Sequence, residues 1–305
     1  MVVTINDITQ RNYKKLSIQV SLSGLSFCVF DTITNKVLVQ NSVPFKQNEV
    51  IDGQLWNAFI DNSILTKAYD EVIILHDNNI NTFVPKPLFD KDNIASYLQY
   101  NVKVFETDFF VADELNNYEI NNVYVPFVNI NNFLLDQFES FEYKNTNTLL
   151  VQKILDRSKN VDEKQVFVHL QENHFEIVVV RNQELLLFNS FEYNSPEDFI
   201  YYILFTFEQL QLNPEVIRIS LFGNISKEDS FYKIAYKFVR NCNLLDVSNQ
   251  SKTHDVTNED MLRHFILFNS WESFQESIKV EEYKHQKSCP FDQQQIWQKK
   301  PYLMS

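Results

Sequence analysis

Val166–Val180 reads VFVHLQENHFEIVVV. Its two runs, VFVHL and FEIVVV, are rich in β-branched and aromatic residues with polar positions between them, the pattern of paired strands. The connection is Gln171-Glu172-Asn173-His174, without a glycine. Tight hairpin turns favour glycine because their central residues take positive φ. The strands are strongly specified, and the turn between them is crowded.

Working outward, SKNVDEKQ (Ser158–Gln165) is a polar linker, and ELLLFNSFEY (Glu184–Tyr193) supplies a third strand. A helix follows, with Ser195 as N-cap, Pro196 at its first position and Asp198 as the capping carboxylate. Its body FIYYILFTFEQL is apolar on most sides, which predicts burial between a sheet and a neighbouring helix, with the stripe Phe199, Tyr202, Phe205 in the core. EVIRISLF (Glu215–Phe222) then reads as a buried strand. About 150 residues earlier the same order occurs: LSIQV, LSFCVFD and KVLVQNSVPF between Leu16 and Phe45, a helix over Val50–Lys67, and the strand EVIIL at Glu71–Leu75. Both third strands carry Asn-Ser, at Asn41-Ser42 and Asn189-Ser190. Four matches in one order argue for an internal duplication.

The predicted organisation is an N-terminal domain over 12–158, a C-terminal domain over 165–276 and a flexible tail over 277–305. The N-terminal domain carries an irregular insertion at about 78–117 with a helix near Ile94–Tyr100. Then come a strand at Val123–Val128, a helix at Asn131–Glu139, a strand at Phe141–Lys144 and a helix at Thr148–Arg157. The C-terminal domain continues with a helix at Glu228–Arg240, a strand at Asn243–Val247 and a helix from Thr257 to about Phe274, capped by Thr257 and Asp260. The asparagines of DNNINT and NNYEINN are read as turn-formers.

Composition excludes several classes. The 305 residues contain three glycines, Gly24, Gly53 and Gly223, where about twenty are usual. They are too scattered for GxGxxG or GxxxxGKS/T, so ordinary Rossmann and P-loop phosphate cradles are absent. A net charge of −13 disfavours nucleic-acid and anionic-membrane partners. Cys28, Cys242 and Cys289 are an odd, widely spaced set that suits a reducing compartment. MVVTINDITQRNYKK has no apolar leader segment, and FIYYILFTF is too short to span a bilayer. The expectation is a cytoplasmic protein that is not membrane-embedded.

Two tandem β-β-β-α-β-α-β (ribonuclease H-like) α/β domains resemble the actin, Hsp70 and sugar-kinase superfamily, the actin-like ATPase (ASKHA) fold. More closely, the chain resembles a bacterial domain-of-unknown-function family with a degenerate form of that fold (DUF3822-like), over roughly 12–274. In active members of the superfamily, ATP lies between the domains. A first hairpin like Asp-x-Gly-Thr-Thr, a second like Asp-Leu-Gly-Gly-Gly-Thr-Phe-Asp-Val and a later Gly-Gly turn hold it. Here VSLSGLSF places Ser21 at the aspartate, Ser23 at the glycine and Gly24 nearby. In the second hairpin His169 replaces the aspartate, and Gln171, Glu172 and Asn173 replace the glycines before His174. Gly223 in LFGNIS retains half of the last turn. Glu172 would oppose a triphosphate by about 1–4 kcal/mol, and loss of the Mg²⁺-organising carboxylates removes the charge neutralisation phosphoryl transfer needs.

The resemblance therefore implies a non-catalytic pseudo-ATPase with no catalytic residues, no cofactor and no metal, acting as a scaffold for an unidentified protein partner. The rival reading is an enzyme or switch that binds a nucleotide or small ligand in the same cleft through Ser21, Ser23, Gly24, His169, His174 and Gly223. A metal-dependent hydrolase on His169 and His174 ranks last, because the spacing is not H-E-x-x-H and no third ligand is evident. Cys242, His254 and His264 form a nucleophile system only by assumption; His264 reads as a packed histidine and Cys28 as a small core residue. His76-Asp77 ends a strand where α/β clefts bind ligands, but reads first as a loop turn.

Overall fold

β1 (Lys14–Val20), β2 (Gly24–Asp31) and β3 (Lys36–Pro44) form an antiparallel meander in which Leu16, Ile18 and Val20 are fully buried. The computed structural model describes residues 11–47, 49–99, 108–248 and 256–270. Helix α1 (Ile51–Asp61) crosses over to β4 (Glu71–His76), which pairs parallel with β1. It stops earlier than its apolar pattern predicts: Asn62 bonds back to the carbonyl of Ala58 through both its backbone N–H and its side chain, and a 3-10 turn over Ser63–Thr66 follows. Gln54, on the buried face, bonds the backbone N–H and C=O of Lys46 and so ties the incoming chain to the helix.

The insertion is more ordered than the sequence implies. β5 (Asn81–Pro85), β6 (Val111–Leu115) and β7 (Ile120–Tyr124) form an antiparallel sheet of order β5-β7-β6. The helix predicted near Ile94–Tyr100 is a 3-10 segment over Lys91–Tyr97, and the strand predicted at Val123–Val128 starts and ends earlier, with Pro126 two residues past its end. Three asparagines read as turn-formers lie within strands: Asn81 in β5, and Asn121 and Asn122 in β7. Asn81 donates to Asn122, Asn122 to Thr148, and Asn147 to Asn81, each within 3.0 Å. Asp113 of β6 accepts from Thr148 Oγ1 (2.7 Å) and the Asn145 N–H (3.0 Å), and burial raises its pKa. Short polar side chains are tolerated inside because they satisfy one another.

Helix α2 (Val128–Gln137) and strand β8 (Glu142–Asn145) complete the first sheet, of order β3-β2-β1-β4-β8. Helix α3 (Thr146–Arg157) starts at Asn145, whose side chain accepts the Asn147 N–H. Leu149, Leu150, Val151, Ile154 and Leu155 are all fully buried, because α3 packs against β6 as well as strands of the second sheet.

That second sheet repeats the first. It contains β9 (Gln165–Leu170), β10 (His174–Arg181), β11 (Glu184–Glu192), helix α4 (Pro196–Gln209), β12 (Arg218–Gly223), helix α5 (Ser230–Phe238) and β13 (Asn241–Leu244), in the order β11-β10-β9-β12-β13. The register shifts in β2 between Val29 and Phe30, and in β10 between Val179 and Val180. In α4, Ser195 caps the Asp198 N–H, while the Asp198 carboxylate reaches Asn194. Phe199, Ile203 and Phe207 enter the core and Tyr202 stacks on Phe191, but Tyr201 and Phe205 face outward; Phe205 is not the core residue its pattern predicts. Among the described residues, no helix covers that side of α4 enough to bury it.

Helix α6 (Asn258–Arg263) is capped by Thr257 and breaks at His264 before helical residues 265–270. This last segment touches both sheets. Ser270 donates to Ser17 of β1, Cys28 of β2 points its Sγ at the Leu267 carbonyl, and Phe265 packs on Phe222 of β12 with ring centroids 5.0 Å apart. The rest of the predicted helix to Phe274, the tail 277–305, His254 and Cys289 lie outside the described residues.

Candidate functional site

The ends of β1 and β9 meet the same local geometry. Ser21 N–H donates to Gly24 C=O (2.9 Å), and Gln171 N–H donates to His174 C=O (2.9 Å). Phe45 N–H reaches Ser23 C=O (2.8 Å), and Tyr193 N–H reaches Asn173 C=O (3.2 Å). Asp77 N–H binds Val20 C=O (2.8 Å), and Asn224 N–H binds Leu170 C=O (2.7 Å). These bonds equate Ser21 with Gln171 and Asp77 with Asn224. They also equate Gln19, two residues before Ser21, with His169, so the two ungapped sequence matches stand two residues out of step with each other.

The first turn satisfies its own amides. Ser21 Oγ accepts the N–H groups of Ser23 and Gly24, both at 3.1 Å, and its hydroxyl lies 2.9 Å from that of Ser23. Such amides are the donors a phosphate would need. Gly24 has a packing role, since a Cβ there would stand 2.9 Å from the Val43 carbonyl oxygen. In the second turn, Tyr193 Oη donates to the carbonyls of Gln171 (2.6 Å) and Glu172 (3.0 Å), which fixes the loop from below. Gly223 has φ +91°, and a Cβ would fall 2.2 Å from the Leu170 carbonyl oxygen. Glycine is required there for the approach of β12 to β9.

Asp77 occupies the space between the turns. Its carboxylate accepts from Gln19 Nε2 (2.9 Å), Gln171 Nε2 (3.2 Å) and Thr146 Oγ1 (3.2 Å). Burial, with Glu176 nearby, raises its pKa despite the opposing pull of His174 and Gln19. Beneath it, Glu176 is almost fully buried between two histidines: Oε2 lies 3.0 Å from His169 Nδ1, and Oε1 lies 2.9 Å from His174 Nε2. The His169 contact is a directed hydrogen bond. The His174 contact is out of line for one, so charge attraction holds it. Burial disfavours the His174 cation, but Glu176, with Asp77 and Glu192, outweighs burial and holds the pKa at about 9. For Glu176 burial is likewise outweighed, by His174 and His169, and the carboxyl stays well below its usual range.

A cavity of about 270 Å³ brings together Ser21, Ser23, Gly24, Gln171, Glu172, Asn173 and His174. His169 and Gly223 are not on its wall: His169 is buried against the Phe222 ring, and Asn224 lines the cavity beside Gly223. Gln19, Asp77 and Arg263 join the site without having been singled out as its residues. The signal for Asp77 was its place at a strand C-terminus, where ligands of α/β folds bind. His76 is not a loop residue: it is fully buried, with Nε2 2.9 Å from Asn131 Oδ1, and burial lowers its pKa to about 4. Cys242 and His264 have separate neighbours. Tyr232 donates to the Cys242 carbonyl, and His264 meets Gln40. Among the described residues, no group of three or more His, Cys, Asp or Glu is placed to hold a metal ion, and no helix is long and apolar enough to cross a membrane.

The fold is that of actin-like ATPases. The crystal structure of a Bacteroides thetaiotaomicron VPI-5482 protein with actin-like ATPase fold and unknown function is similar at a TM-score of 0.72 and 22% identity, covering 80% of this chain and 96% of that one. The PilM-PilN type IV pilus biogenesis complex contains a chain similar at a TM-score of 0.55 and 12% identity, covering 85% and 97%. No curated protein matches the sequence. Residues 4–242 match the family described as "Protein of unknown function (DUF3822)", and the chain belongs to that family.

Proposed function

We propose that this protein is a non-catalytic pseudo-ATPase, an internally duplicated actin-like chain divided near residues 158–165, that serves as a cytoplasmic scaffold or protein-interaction module. One observation carries this reading: the turn amides that would receive phosphate are taken by Ser21 Oγ, and the space between the turns holds the Asp77 carboxylate. An entering triphosphate would meet the part-buried Asp77 carboxylate and, at the exposed rim, Glu172, and among the described residues no group of three or more His, Cys, Asp or Glu is placed to hold Mg²⁺. The PilM-PilN complex supports the interaction role by analogy, since that neighbour is a protein assembly. A second reading, a nucleotide- or small-ligand-binding enzyme or switch, is favoured by the cavity of about 270 Å³ with its hydroxyl and amide walls.

Thermal unfolding with and without millimolar Mg-ATP, ADP and GTP separates the two. A ligand at a hundred times its dissociation constant stabilises the fold by about 2.7 kcal/mol. No shift is the expected result; a rise of several degrees would overturn the pseudo-ATPase reading.

A further inference from the structure

A second cavity, of about 510 Å³, lies between β5 of the small sheet and β11 of the second large sheet. Its β11 wall is the unbroken run Leu185–Ser190. Successive residues of a strand point to opposite faces, so an unbroken run lines a cavity only where the cavity opens along the strand's edge. β11 is such an edge: among the described residues it pairs with β10 alone. Opposite it, β5 contributes Asn81, Thr82 and Phe83, and Phe83 reaches across to Phe188 with ring centroids 4.8 Å apart.

Three features indicate what the groove takes. First, none of its lining residues is charged, in a chain with 22% charged residues and net charge −13. Long edge strands are ordinarily guarded by charge, proline or a covering element, because their unpaired N–H and C=O groups template further strands. β11 runs nine residues, with charge only at its two ends, and of its edge amides that of Ser190 is held by Asn189 Oδ1 (2.9 Å), which an added strand would displace. Second, Ser190 Oγ is buried on the groove wall with no hydrogen-bond partner among the described residues. A hydroxyl in this state meets its partner in a water or in an occupant of the groove. Third, the β11 wall passes from the apolar block Leu185–Phe188 to polar Asn189 and Ser190, facing Asn81 and Thr82 of β5, a wall suited to a backbone flanked by small apolar side chains.

We infer that this groove is a docking site for an uncharged, extended peptide segment of a partner protein, which adds as a strand to the free edge of β11. Main-chain bonds to β11 supply the affinity, and the Phe83–Phe188 contact gives the segment an aromatic surface to pack on. The inference rests on the interaction-module reading and names that module's surface.

The test uses the full chain and a display library of short peptides with no acidic or basic residues. Selected peptides are measured against the wild type and against Asn189→Lys and Asn79→Lys, two exposed rim positions, with thermal unfolding of each variant to check that the fold is kept, since Asn189 also caps the Ser190 N–H. Leu38→Lys, on the edge strand β3 of the first sheet, is the control. The expected result is binding weakened about tenfold or more by each rim lysine, unchanged by Leu38→Lys, with hydrogen-exchange protection appearing on the β11 amides. Peptides that bind all variants equally would overturn the groove while leaving the interaction-module reading in place; a library that yields no binder overturns it as well. The Mg-ATP measurement is independent of either outcome.

Discussion

Gln171 Nε2 lies 3.2 Å from Asp77 Oδ1, so the second hairpin of the chain grips the end of β4 in the opposite sheet. Asp77 is also held by Gln19 and Thr146, which makes the centre of the cleft a contact between the halves. Asp77→Ala removes the acceptor of three donors at once. It should cost about 1–3 kcal/mol, the penalty of leaving partly buried polar groups unmet. Urea unfolding measures it, and a variant as stable as the wild type would show that these bonds close nothing.

His174→Ala tests the buried charge cluster through pH. The raised His174 pKa means its stabilisation is fully present below about pH 6.5 and is lost as pH rises through about 9. The depressed Glu176 contributes above the ordinary carboxylate range and loses its contribution as pH falls. The gap between wild type and variant should therefore be widest near pH 6, at about 3 kcal/mol, and should shrink by pH 9.5. A gap independent of pH would mean packing alone holds His174.

Gly223→Ala places a methyl group against the Leu170 carbonyl at a φ of +91°, where neither can yield. A loss of more than about 3 kcal/mol, or failure to accumulate as soluble protein, is expected. Gly53→Ala is the counterpart: in the first turn of α1, with nothing within 4 Å of the new Cβ, it should stabilise by about 0.5 kcal/mol. Thermal denaturation of both variants checks the pair.

Ser21→Ala should unmask the Ser23 and Gly24 amides. Stability falls by about 1 kcal/mol or less, as for loss of an exposed cap, and hydrogen exchange at those two amides accelerates. Unchanged exchange rates would show that Ser21 Oγ does not protect them.

Asn122→Ala probes the asparagine network that seats the small sheet on α3. Its amide accepts from Asn81 and donates to Thr148, so truncation leaves the Asn81 Nδ2 donor unmet, while Asn147 still holds Asn81 and Asp113 still holds Thr148, and should cost about 1–3 kcal/mol in urea unfolding. An effect under about 0.5 kcal/mol, typical of surface changes, would place water rather than protein in that network.

The alternation of VFVHL and FEIVVV, the Asn-Ser dipeptides of β3 and β11, and the Ser195-Pro-Glu-Asp helix start are local patterns, and they were enough to place the repeated strands and helices in order along the chain. What they could not determine was which polar side chains meet. Asn81 and Asn122 are 41 positions apart, Gln171 and Asp77 are 94 apart, and Cys28 reaches Leu267 across 239. A strand's periodicity tells a residue which face to take but not what waits on that face. Only the packing of both sheets around α3 and residues 257–270 turned Asp77 into the centre of the cleft and buried the His169–Glu176 pair, which the β9–β10 register itself sets side by side.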